Sequence, residues 1–585
     1  MRQRLVYIVL FFIISISAFL RIYQLGNVPS SPDWDEVALG YNAYSIVQTG
    51  RDEYGEFLPI ILRSFDDYKP ALYAYLVIPF IKLFDLTVFA VRLPSAMFGI
   101  LTVIATYFLV KEIFAINNKF KITNSKQIQP FDFAQGKNLN DQNSKHWQLE
   151  ITALLSAGLL AISPWHIQFS RIAFEANVGL AFNVFAVLFF LWGLKRPWFL
   201  ALSSIVMAVN LYAYQSEKVF TPLLLLALVI IFRKTLFLVS KKYIAMAVIL
   251  GLFVSLPIIH YTLTNKEALS RAEGVSIFAD KTQFLKENAQ RLIQDKEKND
   301  YLGVVLDNRR ITYFKTVVSG YLSHFDLNWL FIRGDIARHH VPNMALLYLW
   351  ELPFLIIGIY ALIFRNFPKR TKALIITWLL IAPVPASITS GVPHAIRAIN
   401  LLPTFQIFTA IGLLAAIASI SNIKYKILKI QIKYLIFTMY FLFLIFNFSY
   451  YINQYFFQQN YFYSADWQYG YEEAIRTIQE VGWKYRKIVV SNEPYLDQSY
   501  MFFLFYLKYP PSEYQKGSGT LSGGFRETHK FGKFEFRSIN WDMEEKDKSI
   551  LYMGKPDDFP INIHLVKSVS FLNGEEAIKI VEPRE

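Results

Sequence analysis

Long apolar runs separated by short polar segments occupy the chain up to about residue 452. Many of these runs hold about 15 to 20 residues rich in Phe, Leu and Ile, which is the length of a membrane-spanning helix. The pattern predicts an α-helical polytopic membrane protein with about eleven spans. We expect the spans to begin near Leu5, Leu93, Ile151, Val178, Trp198, Phe220, Tyr243, Ala345, Ala373, Asn400 and Tyr434.

Lys and Arg cluster in segments between alternate apolar runs, and this bias predicts the orientation. Basic loops face the cytoplasm, so the N-terminus is expected inside and the chain after about Tyr451 outside. This assignment requires the short apolar stretch 71–83 to lie in the outer interface without crossing. The membrane part, residues 1–452, then has a first external loop at 26–92, a cytoplasmic insert at 115–150 and an external loop at 261–343. The polar insert is expected to be disordered.

Residues 453–585 have a soluble-like pattern and are expected to form an extracytoplasmic α/β domain. Apolar residues recur at helical spacing within Tyr471–Tyr485, where two acids lie in the first turn. Short apolar runs between turns predict strands. These runs are Lys487–Val490, Phe534–Phe536, Ile550–Tyr552, Ile561–Val566 and Ala577–Val581.

Composition agrees with a membrane protein. The chain is 54% hydrophobic and 18% charged, whereas about a quarter of a soluble protein is charged. The net charge of +14 does not indicate a nucleic-acid partner, because the basic residues follow the loop pattern of a membrane protein. The chain contains no cysteine, which excludes disulfides and a thiolate nucleophile.

Asp35 and Glu36 are the most informative candidate site. They follow the first apolar run by about ten residues, and charges at such a boundary are costly unless they serve a function. A carboxylate beside fixed cations suits displacement at a sugar carbon, with a lipid phosphate as the leaving group. The acid takes the proton of the acceptor as general base, and Lys or Arg stabilises the departing phosphate.

Several segments resemble the family-39 type of C-class membrane glycosyltransferases, which includes protein O-mannosyltransferases and aminoarabinose transferases. The matching runs are Asp33–Gly55, Asp67–Leu76, Val91–Val103, Ser163–Leu180 and Pro383–Pro403. The resemblance covers the membrane part. It implies the C-class fold, a long first external loop with juxtamembrane helices and a polyprenyl-phosphate sugar donor.

The same resemblance implies roles for individual residues. Asp35 is the catalytic base, with Glu36 beside it in the acidic pair. Lys69 contacts the donor phosphate, and Arg92 either supports that phosphate or fixes the loop. Arg171 and Glu175 match the arginine-then-acid pattern of the second external loop, where the family usually has Asp.

Two more basic side chains, His394 and Arg397, lie near an outer helix end. Their position fits either contact with a lipid phosphate or anchoring at the interface.

Structural alternatives exist for each of these residues. Asp35 and Glu36 suit the N-terminus of a juxtamembrane helix, while Lys69 and Arg92 suit anchoring at the interface. Arg171 and Glu175 are four apart, the spacing of an ion pair on a helix surface. His339 and His340 raise the question of a metal, but we find no acidic partner at helical spacing and expect solvated loop histidines.

The function predicted is transfer of a sugar from a polyprenyl-phosphate donor to a protein, lipid or glycan acceptor at the outer face of the cytoplasmic membrane, with inversion. The sequence identifies no definite cofactor and leaves a metal requirement open, and the carboxylates are able to hold a divalent cation near the phosphate. A flippase for lipid-linked sugars is one alternative, and it would place its essential charges within the spans. A second alternative is a non-catalytic scaffold whose C-terminal domain binds a partner. A third is a related membrane enzyme, an O-antigen ligase or polymerase, which would use a diphosphate-lipid donor.

Overall fold

The computed structural model describes residues 2–65, 67–116, 142–265, 274, 276–277, 283–421, 428–517, 519–520, 524 and 526–583. Most of the cytoplasmic insert predicted at 115–150 lies outside these residues. The part that is described from residue 142 onward is helical.

Helices make up most of the described chain as far as residue 462. Their bounds are Arg2–Ile22, Trp34–Thr49, Leu72–Phe84, Val88–Ala115, Gln142–Ile162, Pro164–Ser170, Glu175–Gly193, Phe199–Asn210, Glu217–Leu236, Lys241–Thr264, Gln283–Glu297, Tyr301–Leu306, Arg309–Ser323, Glu351–Phe364, Lys369–Ile381, Val384–Ser387, Thr404–Ser421, Leu428–Asn453 and Gln459–Phe462.

Six of the helices in the described ranges are long and apolar enough to cross a membrane, which makes this a multi-pass membrane protein. The number rises to seven if Trp147–Ile162 and Pro164–Ser170, bent by 58° against each other, form one span. A helix does begin near each of the eleven expected starts. However, Phe199–Asn210, Glu351–Phe364 and Lys369–Ile381 have only 12, 14 and 13 residues. The count of eleven spans therefore stays a prediction.

The ambiguous stretch 71–83 forms the helix Leu72–Phe84, which contains Pro79. Its 13 residues extend about 20 Å, short of the roughly 30 Å hydrocarbon core of a bilayer. The helix packs against Trp34–Thr49 and Val88–Ala115. This length favours the interfacial placement that the charge pattern required.

The C-terminal part contains a six-stranded mixed sheet. All five predicted strands are present, and the predicted helix is confirmed as Tyr471–Val481. Two further short helices, Ser499–Tyr506 and Pro511–Lys516, follow the first of these strands in the chain. The order across the sheet is His529–Phe531, Phe534–Phe536, Lys487–Val490, Ile550–Gly554, Glu576–Glu582 and His564–Ser570. The central strand Lys487–Val490 pairs in parallel with both of its neighbours.

The segment 26–92, predicted to be an external loop, packs directly on this C-terminal part. Residues of helix Trp34–Thr49 share one hydrophobic core with Tyr471–Val481, Ser499–Tyr506 and the sheet. Gly40 lies at the tightest contact, because a Cβ atom there would approach the side chains of Phe505 and Val91 to 2.7 Å. The position of this helix, which begins at the acidic pair, therefore depends on the C-terminal part of the chain.

The segment 26–92 also contains a two-stranded hairpin. Its strands, Ile61–Ser64 and Asp67–Pro70, pair antiparallel, with Leu62 opposite Lys69. The side chain of Gln215 donates a 2.6 Å hydrogen bond to the carbonyl of Tyr68, which ties the hairpin to the loop before helix Glu217–Leu236. The hairpin thus presents Lys69 from a fixed backbone.

Candidate active site

The acidic pair lies in the first turn of helix Trp34–Thr49, and Asp33 is its N-cap. The Asp33 carboxylate accepts the backbone N–H of Glu36 at 2.9 Å, and Glu36 accepts the N–H of Asp33 at 3.3 Å. This reciprocal arrangement is a capping box, which satisfies backbone donors at the helix start. Helix capping therefore accounts for Asp33 and Glu36, but it does not account for Asp35.

Glu36 is buried, with 2% of its side chain exposed, and its carboxylate accepts several bonds. Arg92 donates from Nε and Nη2 at 2.9 Å each, and the backbone N–H of Ala173 donates at 2.9 Å. A carboxylate engaged in this way is poorly placed to take a proton from a substrate. Glu36 thus lies buried beside Asp35, with its carboxylate held by Arg92 and by the backbone of Ala173.

Arg92 is fully buried. In addition to Glu36 it donates to the carbonyls of Leu25, Pro29 and Ser31 at 2.8 to 3.1 Å. Of the two roles considered for Arg92, these contacts favour fixing the loop. The guanidinium holds residues 25–31, the segment that leads from the first helix to the acidic pair.

Arg171 is also fully buried, which contradicts a simple ion pair on a helix surface. It donates to the carbonyls of Leu20 and Val28 at 2.9 and 3.0 Å and to the hydroxyl of Tyr455 at 3.1 Å. These bonds connect the first helix, the segment after it and the chain near residue 455. Glu175, the first residue of its helix, is buried as well, with 8% exposed.

Asp35 differs from its acidic neighbours because 36% of its side chain is exposed. It forms an ion pair with Lys69, whose side chain is 8% exposed. The segment 26–92 therefore brings together a partly exposed carboxylate and a largely buried ammonium. This pair joins two of the residues that the sequence singled out.

Arg338 is a neighbour that the sequence analysis did not select. It donates to the Asp33 carboxylate at 2.8 Å, and its guanidinium lies 4.6 Å from the ring centre of Trp34. Burial raises the pKa of Asp33 to about 6, although the positive charge of Arg338 acts in the opposite direction. Nothing in the local sequence distinguishes Arg338 from the other cations of the 261–343 loop, so only the fold identifies it.

A second polar cluster consists of Asp335, His339 and His394, and one possible ligand atom of each lies within 4.8 Å of the other two. The expectation of solvated histidines was wrong for His339, which is 3% exposed and contacts the Asp335 carboxylate through Nδ1 at 2.9 Å. The expected lack of an acidic partner was also wrong, since Asp335 precedes His339 by four residues. That spacing was available in the sequence.

Arg397 and His394, the two basic residues predicted near an outer helix end, lie in one segment, and His394 is part of this cluster. Arg397 donates to the hydroxyl of Thr389 at 2.6 Å and to the carbonyl of Ser390 at 2.8 Å, which holds the loop before His394. Burial lowers the pKa of His394, and the charge of Arg397 acts in the same direction. Neutral imidazole is therefore the favoured form of His394.

The segment 168–174 contacts both the start of helix Trp34–Thr49 and the cluster of Asp335, His339 and His394. The ring of His339 lies 5.5 Å from that of Phe169 and 5.9 Å from that of Phe174. The N–H of Ala173, between those two phenylalanines, donates to Glu36. Gln168 donates to the carbonyl of Arg338 at 2.8 Å. The start of helix Trp34–Thr49 and the Asp335 cluster therefore pack against the same short segment.

No protein-family model and no curated protein matches the chain. Among solved structures, ArnT from Cupriavidus metallidurans in the apo state matches with a TM-score of 0.51 at 10% sequence identity. ArnT from the same organism bound to undecaprenyl phosphate matches with a TM-score of 0.53 at 11% identity. Each match covers 98% of this chain and 97% of the other. The chain has the fold of ArnT, a C-class glycosyltransferase.

The oligosaccharyltransferase of Archaeoglobus fulgidus, tethered to an acceptor peptide, matches with a TM-score of 0.45 at 12% identity. It covers 86% of this chain and 63% of the other, and a score of this size supports no conclusion. The two ArnT matches extend through the C-terminal part as well as the membrane part. The resemblance inferred from the membrane half is thus confirmed as a similarity of fold over nearly the whole chain.

Proposed function

We propose that the protein is a membrane glycosyltransferase that moves a sugar from a polyprenyl-phosphate donor to an acceptor at the outer face of the cytoplasmic membrane. The observation that carries the proposal is the ion pair of Asp35 and Lys69. Asp35 is open to solvent, whereas Asp33 and Glu36 are buried and engaged. A base must reach its substrate, and among these three acids Asp35 meets that requirement.

The reaction is a single displacement. The acceptor oxygen or nitrogen attacks the anomeric carbon while the bond from that carbon to the phosphate oxygen breaks. Asp35 takes the proton of the acceptor, and the polyprenyl phosphate leaves with the electron pair. One displacement inverts the configuration of the anomeric carbon and needs no covalent intermediate.

Lys69 supplies the charge that the leaving phosphate requires. In the free protein its ammonium lies against Asp35, which favours the ionised carboxylate. Negative charge grows on the phosphate as the bond to the sugar breaks, and a fixed cation stabilises that charge. Lys69 thus lies beside the base before the reaction and balances the charge of the phosphate during it.

The buried charges position this pair. Arg92 and Glu36 hold the start of helix Trp34–Thr49, and Arg171 holds the segment before it. Glu175 is buried at the first position of helix Glu175–Gly193, four residues after Arg171. We assign these four residues to the support of Asp35 and Lys69, and none of them to direct contact with the donor.

The comparison with ArnT supports a lipid-linked donor, since that protein binds undecaprenyl phosphate in one of the matched structures. The sugar is expected to be a hexose or pentose, and the acceptor is a protein, lipid or glycan. The charge pattern supports a cytoplasmic N-terminus and an external C-terminal domain at residues 453–585. Both Asp35 and the C-terminal part then face the outer side, where the acceptor would arrive.

The test compares purified wild-type protein with Asp35→Asn on a panel of radiolabelled polyprenyl-phosphate sugars. The amide preserves the shape and removes the base, so turnover is expected to fall by about 100- to 10,000-fold. Asp85→Asn is a matched control, because Asp85 also pairs with a lysine, Lys508, but at an exposed site. It should retain full activity.

Equal turnover by Asp35→Asn and wild type would reject Asp35 as the base. A folded wild-type protein that releases sugar from none of the lipids would reject the glycosyltransferase proposal. Such an outcome would favour a flippase or a non-catalytic scaffold instead.

A further inference from the structure

Two external segments that are far apart in sequence meet at Asp335, His339 and His394. His339 and His394 have ring centres 5.1 Å apart. The Asp335 carboxylate contacts His339 Nδ1 at 2.9 Å and accepts the backbone N–H of Ala395 at 2.5 Å. Two imidazoles and one carboxylate therefore converge from both segments.

The backbone on either side of the cluster is fixed. The N–H of His394 donates to Nε2 of His324 at 3.2 Å, and Nδ1 of His324 lies 2.7 Å from the carbonyl of Gly320. His324 is fully buried. Outer contacts of this kind orient the ligands of metal sites.

One atom of the cluster lacks the partner that a buried polar atom normally has. Nδ1 of His394 is buried and has no hydrogen-bond partner among the described residues. A buried polar nitrogen without a partner costs about 1–3 kcal/mol. The hydrogen bond between Asp335 and His339 satisfies polar groups of those two residues. It leaves Nδ1 of His394 unsatisfied.

We infer that Asp335, His339 and His394 bind a divalent transition metal of the Zn²⁺ class. Two histidines and one carboxylate are the ligand set of several zinc sites, in which a water or anionic oxygen fills the remaining position. Ligands at about 2.1 Å from zinc lie about 3.4 Å from one another. Modest rotations of the side chains would therefore close the 4.8 Å cluster onto the ion.

The bound ion would cross-link the 261–343 loop to the segment at Pro383–Pro403. Asp335 and His339 belong to the first of these segments and His394 to the second. Binding to the folded state alone raises the stability of a protein. The metal is therefore expected to raise the unfolding temperature of the full chain.

The test uses full-length protein stripped of metal with a chelator, and calorimetric titration with Zn²⁺. One equivalent should bind to the wild type, and Co²⁺ in place of zinc should give the visible absorption of a site with nitrogen and oxygen ligands. His394→Ala and Asp335→Asn should each weaken zinc binding more than about 100-fold, since even outer-shell partners contribute about 10- to 100-fold. Mg²⁺, which prefers oxygen ligands, should bind far more weakly.

The matched control is His564→Ala. His564 also lies beside a carboxylate, that of Glu582, but this pair is half exposed on the C-terminal sheet. Its loss should leave zinc affinity and the zinc-dependent rise in unfolding temperature unchanged. His394→Ala should lose that rise, measured against the same variant without metal, because the ring of His394 also packs against His339 and its removal lowers the metal-free unfolding temperature as well.

Absence of stoichiometric binding in a folded wild type would overturn the inference. The same holds if His394→Ala and Asp335→Asn bind zinc as tightly as wild type, or if His564→Ala removes the site. Binding and unfolding are measured without any sugar substrate. Failure of the metal site is therefore distinguishable from failure of the proposed transferase activity.

Discussion

Arg92 holds the carboxylate of Glu36 by two hydrogen bonds of 2.9 Å each, and both side chains are buried. The two residues are 56 positions apart in the chain. Their contact fixes the start of the helix that carries Asp35, and the adjacent acids of the sequence lie in different environments. Glu36 is buried against Arg92, whereas 36% of the Asp35 side chain is exposed.

Glu36→Gln should destabilise the protein by about 3–5 kcal/mol, because it leaves the charge of Arg92 buried without a counter-ion. Thermal or denaturant unfolding of the purified protein measures the loss. Glu472→Gln is the control, since its ion pair with Arg476 is exposed and is worth less than about 1 kcal/mol. An unfolding free energy of Glu36→Gln equal to that of Glu472→Gln would contradict this account.

Lys69→Met should lower kcat/KM for a polyprenyl-phosphate sugar by about 100- to 1000-fold, the usual effect of removing one group that stabilises developing charge. Steady-state kinetics on the substrate identified with wild type provide the measurement. Lys508→Met is the control, because Lys508 pairs with Asp85 at an exposed site. Loss of activity in both variants to the same extent would point to general damage and not to a role at the phosphate.

Glu53 should make stability depend on pH. Burial raises the pKa of Glu53 to about 7, although hydrogen bonds from Thr520 and Asn42 act in the opposite direction. The pKa of Glu53 is thus higher in the folded protein than in the unfolded chain, where it is about 4.5. Protonated Glu53 therefore makes its full contribution to stability below about pH 4.5, and this contribution is lost as the pH rises through about 7. The loss is at most about 3 kcal/mol, since one pKa unit corresponds to about 1.4 kcal/mol.

The unfolding temperature of wild type, measured from pH 4.5 to 8, should therefore fall more steeply than that of Glu53→Gln. The neutral amide keeps the size of the side chain and does not titrate. Parallel curves for the two proteins would show that Glu53 is not responsible. Because Thr520 belongs to the C-terminal part, the effect would also report on its contact with the first external loop.

Gly40→Ala should destabilise the protein by up to about 2 kcal/mol. The added Cβ would approach Phe505 and Val91 to 2.7 Å, and overpacking of this kind costs about 1–3 kcal/mol. That cost exceeds the gain of about 1 kcal/mol from helix propensity. Gly158→Ala is the control, since its Cβ would meet Ile13 at an ordinary 3.6 Å. An unfolding temperature of Gly40→Ala at or above wild type would reject the tight packing of this helix.

The sequence supported reliable predictions wherever a residue's neighbours in the chain determine its structure. The apolar runs indicated the membrane helices, and alternating short runs indicated the strands of the C-terminal sheet. The spacing of Asp335 and His339 was equally local, and it was overlooked. By contrast, periodicity did not predict that the helices near residues 199, 351 and 369 have only 12 to 14 residues, because helix ends depend on packing and capping.

The sequence by itself determined the class of the protein, since hydrophobicity and charge act through composition and local order. It also placed Asp35, Lys69 and Arg92 among the candidate residues. Only the tertiary structure decided which of these side chains are buried and which reach solvent. It also joined Arg338 to Asp33 and His394 to Asp335. The physical reason is that burial and pairing arise from contacts between segments distant in the chain, and such contacts leave no periodic pattern in the sequence.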